Sequence, residues 1–433
     1  MSFRLVPLLP VLLGVASAEV ALGLSTPLIA LLMVRLGASS DVIGLVASAY
    51  YVGFLAGSLT ADRLIRRIGH VRTFAVLAAV AADAALVCVF AEAPWMVAIS
   101  RLLVGYATSG MLMVAESWLN DRADSATRGA TFSAYLVVSW GPAALGPLLL
   151  SVVPPSPLLF VTVGFAFAAA VVPMALTTQL NPVVAARKRM GPIALFRISP
   201  VGAACAVASG LVNSAYYAMA PIYLGTIGQN ASAIGAFTSV AMIAGLAVQV
   251  PIGIASDRLG RRPVALTAMA VGFAAAIALL AIGPASLWTL AAVGFVYSAA
   301  TAPLYGLGAS QTNDRMQRGD YVAASGGLLF AWSLGSSLSP TLAGAVMGAV
   351  GPSGLFYYLI AILGGVALFT VLRMLQRAEV PRDARGVYVP AAAAPARYAE
   401  LSAGTDAKPT DAKPGDAKPT DAKPAEAAAE AAR

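Results

Sequence analysis

Charge is what this chain has least of. Asp, Glu, Lys and Arg together make up 11% of its 433 residues, less than half of the roughly 25% usual in soluble globular proteins, so an ordinary water-soluble domain is excluded. Cysteine is nearly absent. Cys88 and Cys205 are its two thiols, both fall in or near apolar stretches, and neither has a second ligand at a useful spacing, so no disulfide and no metal site is expected. The sole histidine, His70, stands in a charged loop, where a solvated side chain is expected ahead of a role in proton transfer. There is no GxxxxGK[ST] phosphate loop and no catalytic constellation between the apolar stretches, so neither ATP hydrolysis nor another enzymatic activity is indicated and no cofactor is expected.

What fills the chain instead is apolar. Hydrophobic residues account for 59% of positions and gather in twelve runs of roughly 20 to 30 residues, the length that spans ~30 Å of hydrocarbon at 1.5 Å per residue. An all-α membrane protein with twelve transmembrane helices follows, because in lipid each backbone polar group must be satisfied within its own helix. The first run opens with Arg4 and contains Ala16-Ser17-Ala18, in imitation of a signal peptide and its cleavage site. Apolar residues resume past Glu19 and continue to Val34, so this run is read as a retained span. Lys and Arg fall almost entirely in alternate loops: Arg63, Arg66, Arg67 and Arg72, then Arg122 and Arg128, then Arg187, Lys188, Arg189 and Arg197, then Arg258, Arg261 and Arg262, then Arg315 and Arg318. The opposite loops hold Arg35. The positive-inside rule then makes both termini cytoplasmic, in a multi-pass protein of a bacterial-type inner membrane. The formal net charge of +8 belongs to that inner face and reads as topology and anionic-lipid contact rather than nucleic-acid binding.

Two of the charged loops are near copies. GSLTADRLIRRIGHVR at 57–72 and GIASDRLGRRP at 253–263 align Asp62-Arg63-Leu64 with Asp257-Arg258-Leu259, and Asn120-Asp121-Arg122 returns as Asn313-Asp314-Arg315. Duplicated spans predict two halves around a central interface, the construction of many transporters. The expected division is 1–178 as an N-terminal six-helix bundle, 179–198 as a cytoplasmic linker, 199–375 as a C-terminal six-helix bundle, and 376–433 as a cytoplasmic tail. In the tail Asp-Ala-Lys-Pro recurs, ending at Pro409, Pro414, Pro419 and Pro424. Proline at every fifth position, with nothing apolar to bury, predicts disorder there.

These residues also carry a family likeness over roughly 1–375. Gly57, Asp62, Arg63, Gly69 and Arg72, and again Gly253, Asp257, Arg258, Gly260, Arg261 and Arg262, resemble the loop signature of the major facilitator superfamily. Arg101-Leu102-Leu103-Val104-Gly105 is similar to its RxxxG element, and Gly141-Pro142-Ala143-Ala144-Leu145-Gly146-Pro147 looks like a differently spaced variant of the glycine-proline motif of its proton-coupled antiporters. IGLVASAYYVGFLAGS at 43–58, LIRRIGHVRTFA at 64–75 and AESWLND at 115–121 look like the YcaD-like branch. The resemblance implies two pseudo-symmetric bundles, alternating access and a small organic substrate, with the proton as coupling ion. It favours efflux over uptake of a nutrient or cofactor, and a monomer is expected. The reading from another class is a non-transporting membrane receptor or scaffold acting through the tail.

Within this frame a few residues stand out. Glu19 lies near the midpoint of the first span, where a charge costs about 2.5–3.5 kcal/mol on insertion scales. It is a candidate for proton coupling or substrate binding, with a carboxyl hydrogen-bonded to a neighbouring helix as the competing reading. Arg101 could extend toward Glu19 or toward an anionic substrate group, while Asp83, at comparable depth, competes for it as a structural ion pair. Asp62, Arg63, Arg72, Glu116, Asp257, Arg258 and Arg261 are expected at a cytoplasmic gate. A charge near a helix end is worth roughly 0.3–2 kcal/mol, which suits a latch better than a permanent bond. By the resemblance, Asp62 would face the other half near span 11. The spans of the second half hold no acid or base, and the expected cavity residues there are Asn213, Tyr216, Tyr217, Tyr297, Thr301, Tyr305 and Trp332. Such an aromatic wall suits a planar or amphiphilic molecule better than a sugar, with aromatic packing between helices as the alternative. Gly141, Pro142 and Pro340 are expected at hinges, or at plain close packing, because proline frees a carbonyl and small residues let helices approach.

Overall fold

The computed structural model describes residues 8–122, 128–177, 190–316 and 321–376, together with positions 381 and 386. Six helices, α1 (Leu9–Arg35), α2 (Ser40–Ile68), α3 (His70–Val87), α4 (Pro94–Arg122), α5 (Arg128–Leu145) and α6 (Leu159–Ala175), pack mainly on one another. After a short helix α7 (Pro192–Ile198) come α8 (Pro200–Thr226), α9 (Ala231–Leu259), α10 (Arg261–Ile282), α11 (Leu287–Thr301), α12 (Leu304–Asn313), α13 (Tyr321–Val350) and α14 (Gly354–Gln376), which likewise pack together. Among the described residues nine helices are long and apolar enough to cross a membrane, with α11 and α12 counting as one. The other three positions in the sequence belong to α6, apolar but 17 residues long, and to α8 and α13, which run 27 and 30 residues.

Two features depart from the sequence reading. The tenth apolar run is broken rather than continuous. Helix α11 ends at Thr301 and α12 begins at Leu304, because Pro303 has no N–H to offer the carbonyl one turn back and its ring crowds that turn. The connector between the halves, whose residues 178–189 lie outside the described segments, ends in the helix α7. The Met190 N–H donates to the Ala323 carbonyl at 3.2 Å, which ties the end of the connector to α13.

The two duplicated loops are tighter than their charge content suggests. Helices α2 and α3 are separated by Gly69 alone and α9 and α10 by Gly260 alone, with φ of 82° and 113°, values that only glycine adopts cheaply. Gly69 and Gly260 are therefore the structurally matching positions. Asp62 then lies two helical turns before its glycine, whereas Asp257 lies within one turn of its own, so the two Asp-Arg pairs occupy different registers. The one-residue connection also corrects the expectation for His70. Its side chain is buried at the start of α3, with Nε2 2.9 Å from Ser117 Oγ and its ring edge-on to Trp118.

The halves meet on the face opposite these arginine-rich loops. Gly44 of α2 lies against the Pro340 carbonyl of α13, and Gly235 of α9 against the Pro147 carbonyl that follows α5. A Cβ at either glycine would overlap the facing oxygen. The first contact is reinforced by Thr341, whose backbone N–H and Oγ1 donate to Ser48 Oγ at 3.1 and 2.8 Å. Overpacking of this kind costs about 1–3 kcal/mol, so a Gly44→Val protein is expected to populate the closed form about tenfold less or lower still. Labelling of a cysteine placed at Thr341, in a background lacking Cys88 and Cys205, should accelerate with a membrane-impermeant thiol reagent. An unchanged labelling rate would mean that this contact does not close the face.

Candidate functional site

Midway along the helices, half-buried side chains of α1, α2, α8 and α13 face one another between the halves. Glu19 is on α1, in a half-buried stripe with Leu22 and Thr26. Its carboxylate has no hydrogen bond or ion pair among the described residues, and its charge reaches Tyr50 of α2 and Tyr135 of α5. Trp332 of α13 makes edge-to-face contacts with three rings: Tyr51 at 6.2 Å, Phe54 at 5.7 Å and Tyr305 at 6.5 Å between centroids. Tyr50 packs edge-on against Tyr51 at 5.1 Å. The rings of one half thus close against the indole of the other.

Of the expected cavity residues, Asn213, Tyr217 and Trp332 are half-buried, while Tyr216, Tyr297, Thr301 and Tyr305 are buried behind them. Tyr216 and Tyr297 stack at 4.3 Å, which makes them packing of the second half. Asn213 Nδ2 donates to Ser209 Oγ and to the Thr301 carbonyl, both at 3.1 Å, so an amide from α8 occupies a backbone acceptor at the break between α11 and α12. Its own carbonyl oxygen is buried with no partner among the described residues. Interrupted helices of this kind, with backbone exposed at mid-membrane, are where transporters commonly place their binding groups.

Asp83 and Arg101 do not meet. Asp83 is exposed on α3 between the buried residues Ala82 and Ala84. Arg101 is 7% exposed and turns into the first half. Its guanidinium lies 4.4 Å from the Tyr50 ring centroid and lines a small cavity with Ser25, Cys88, Ser100 and Phe160. Equal depth did not bring the pair together, because each residue turns a further 100° around its helix. Glu116 reaches across, for its charge acts on Tyr135 of its own half and on Tyr305 of the other.

On the basic face, the pairs Asp62–Arg66, Asp257–Arg261 and Asp314–Arg261 each lie within one half. Asp62 pairs with Arg66 at 2.5 Å along α2, and Arg63 and Arg72 are exposed. In the second half Arg261, 1% exposed, bonds Asp257, Ser256 Oγ at 2.8 Å and Asp314 at 3.1 Å, and its Nη2 donates to the Gly386 carbonyl beyond α14. Arg258 is exposed. Of the expected hinge positions, Pro142 lies inside α5 and Pro340 inside α13 at the Gly44 contact, while a side chain at Gly141 would enter open space. Helix α5 approaches α1 closely at Ala143, whose carbonyl faces Gly23, and the turn that follows does so at Gly146, beside Val20 and Leu24.

Sequence reasoning missed Tyr50, Tyr51 and Phe54, and it missed the interface glycines. The second omission had a visible signal, since Ile43-Gly44 and Ile234-Gly235 occupy the same place, the fourth and fifth residues of α2 and α9.

A family model of the Major Facilitator Superfamily matches residues 11–228 and 202–404. The chain belongs to this superfamily. Its curated relatives include an uncharacterized MFS-type transporter of Enterobacter sp. strain 638, 28% identical over 86% of this chain and 96% of that one. Another is the uncharacterized MFS-type transporter YcaD of Escherichia fergusonii, 26% identical over 88% and 99%. Among solved structures it is similar to a mutant of the nucleoside transporter NupG, with a TM-score of 0.73 and 14% identity over 84% of this chain and 99% of that one. It is also similar to a bacterial homologue of the human lysosomal transporter Spinster in an inward-facing, occupied conformation, with a TM-score of 0.70 and 16% identity over 89% and 98%. These identities carry the fold alone. The protein is thus a multi-pass membrane transporter of the superfamily's two-bundle fold.

The two Asp-Arg clusters make opposite stability predictions. Arg66 is 47% exposed and its pair with Asp62 runs along one helix, so Arg66→Ala is expected to cost about 0.5 kcal/mol or less. Removing Arg261 takes the ion-pair partner from Asp314, whose side chain is 2% exposed and also accepts the Gly386 N–H at 2.9 Å, and breaking a buried pair costs about 3–5 kcal/mol. Thermal unfolding in detergent should therefore place Arg261→Ala far below Arg66→Ala. Equal melting temperatures would contradict the assignment.

Proposed function

We propose that this protein is a secondary active transporter of a small organic molecule, working by alternating access and coupled to protons through Glu19. The observation that carries the reading is Glu19 itself, a half-buried carboxylate midway along a membrane helix with no hydrogen bond or ion pair among the described residues. Holding a charge there is costly, and a proton relieves the cost. Loading and unloading one proton per cycle is the simplest use of such a group.

The concentration of arginine on one face supports a cytoplasmic location for that face and for both termini. On this orientation the described conformation, joined at Gly44 and Gly235 on the opposite face, is read as the inward-facing one. Asp62, Asp257, Arg261 and Glu116 then belong to a gate that is open. Residues 1–178 and 199–375 act as the moving halves, joined by 179–198, with 376–433 as a dispensable tail. The Gly141-to-Pro147 stretch supports efflux, and uptake of a nutrient or cofactor is the second reading.

The test uses proteoliposomes and a compound selected because it raises the melting temperature of the purified protein, as any ligand preferring the folded form must. A pH gradient should drive its accumulation by wild type and by a chain ending at residue 376. Glu19→Gln should retain exchange down a gradient and lose accumulation. Full accumulation by Glu19→Gln would remove Glu19 as the proton carrier, and loss of transport on tail deletion would favour the scaffold reading.

A further inference from the structure

The interior of the first half holds a positive charge that no carboxylate among the described residues balances. Arg101 is 7% exposed, and its Nε and Nη1 are buried with no hydrogen-bond acceptor among those residues. We propose that the cavity beside its guanidinium is a binding site for one small inorganic anion of the halide type, ordinarily chloride, held within the first half. This goes beyond the transporter reading and does not depend on it.

Four helices enclose the cavity. Ser25 comes from α1, Cys88 from just past α3, Ser100 and Arg101 from α4 and Phe160 from α6, and the rest of the wall is aliphatic or aromatic. Apart from the guanidinium, each polar group of the wall has its hydrogen committed. Ser25 Oγ donates to the Leu22 carbonyl at 2.9 Å, Ser100 Oγ to the Ala84 carbonyl at 2.6 Å, and Cys88 Sγ to Ser100 Oγ at 3.3 Å. No carboxylate lines the space. The N–H groups of Arg101 are therefore the donors left to an occupant.

Arginine keeps its proton in a protein, so its surroundings must offset the charge. The groups that act on it electrostatically, Tyr50, Tyr51 and Cys88, are weak acids rather than carboxylates. The Tyr50 ring, 4.4 Å from the guanidinium, supplies a cation–π contact, which falls short of the cost of taking an ion out of water. A water molecule in the cavity would accept the free N–H groups and leave the charge standing, whereas an anion answers both needs. Size narrows the class. The space has room for about one water-sized group, which admits a halide, only slightly larger, and turns away organic carboxylates. Phosphate and sulfate are excluded on the same ground and also because their oxygens would need donors that an apolar wall does not offer.

The test is thermal unfolding of detergent-purified full-length protein in sodium chloride, sodium bromide and sodium gluconate at equal ionic strength. At a halide concentration tenfold above half-saturation, wild type is expected to melt about 2 °C or more above its value in gluconate, with a saturable dependence on halide. Arg101→Met should lose the difference between salts, and Arg101→Lys should keep a reduced one. Equal melting of wild type in the three salts, or a halide effect as large in Arg101→Met as in wild type, would overturn the inference and leave water as the occupant. Where Arg101→Met fails to fold, wild-type crystals grown in bromide decide the matter. An anomalous peak beside Arg101 Nε and Nη1 is expected, and density there without one would overturn the inference. None of these readouts uses a gradient, so failure of proton-driven accumulation would leave the anion site standing, and loss of the site would leave the transporter reading intact.

Discussion

The close approach of Gly44 to the Pro340 carbonyl, matched by Gly235 against the Pro147 carbonyl, governs the described conformation. Between membrane helices there is no hydrophobic drive to associate, since lipid is as apolar as the side chains it would replace. Contact comes from backbones that come near enough for dispersion and hydrogen bonding. Glycine on one side and a proline carbonyl on the other give that closeness twice, at two positions of the duplicated architecture. The Ser48 and Thr341 bonds add direction to the first of them. The ring cluster of Tyr51, Phe54 and Trp332 lies between the same two helices, α2 and α13.

Charge placement follows the same economy. Few groups in the chain ionise within the apolar spans, and each is handled differently. Arg101 is covered by an aromatic ring, Asp83 is turned outward, and Arg261 is surrounded by two carboxylates, a serine and a backbone carbonyl. Glu19 and Asp83 have no hydrogen bond or ion pair among the described residues, and Arg101 keeps its Nε and Nη1 buried without a hydrogen-bond acceptor there.

How far the sequence spoke depends on what kind of information each feature carries. Spans, halves and duplicated loops were legible because they rest on composition over tens of residues and on charge clusters that stand out from an apolar background. Depth along a helix could be counted from the hairpin, as for Asp83 and Arg101. Azimuth could not. The two residues fail to meet because direction around the helix accumulates over intervening positions and over a hairpin whose geometry sequence does not reveal. Tyr216 and Tyr297 were credible wall residues by type and spacing, yet they stack on each other inside the second half. The aromatic pair Tyr50-Tyr51 went unremarked because rings in spans have many uses. Gly44 and Gly235 were hidden among 40 glycines, although their shared position after isoleucine was there to be noticed. His70 was misplaced because a charged segment was taken for a loop, when the turn is one residue long and the charges sit on helix ends.

Rocking of the halves about the central cleft is the claim on which the rest stands, and interspin distances test it most directly. Spin labels on the exposed positions Arg67 and Arg258 report the basic face, and labels on the exposed positions Arg35 and Thr226 report the opposite face. Double electron–electron resonance on the two double-cysteine proteins should give two populations for each pair that respond in opposite senses, the basic-face distance shortening under conditions that lengthen the other. A single fixed distance on both faces under every pH and ligand condition, or distances that rise and fall together, would contradict it.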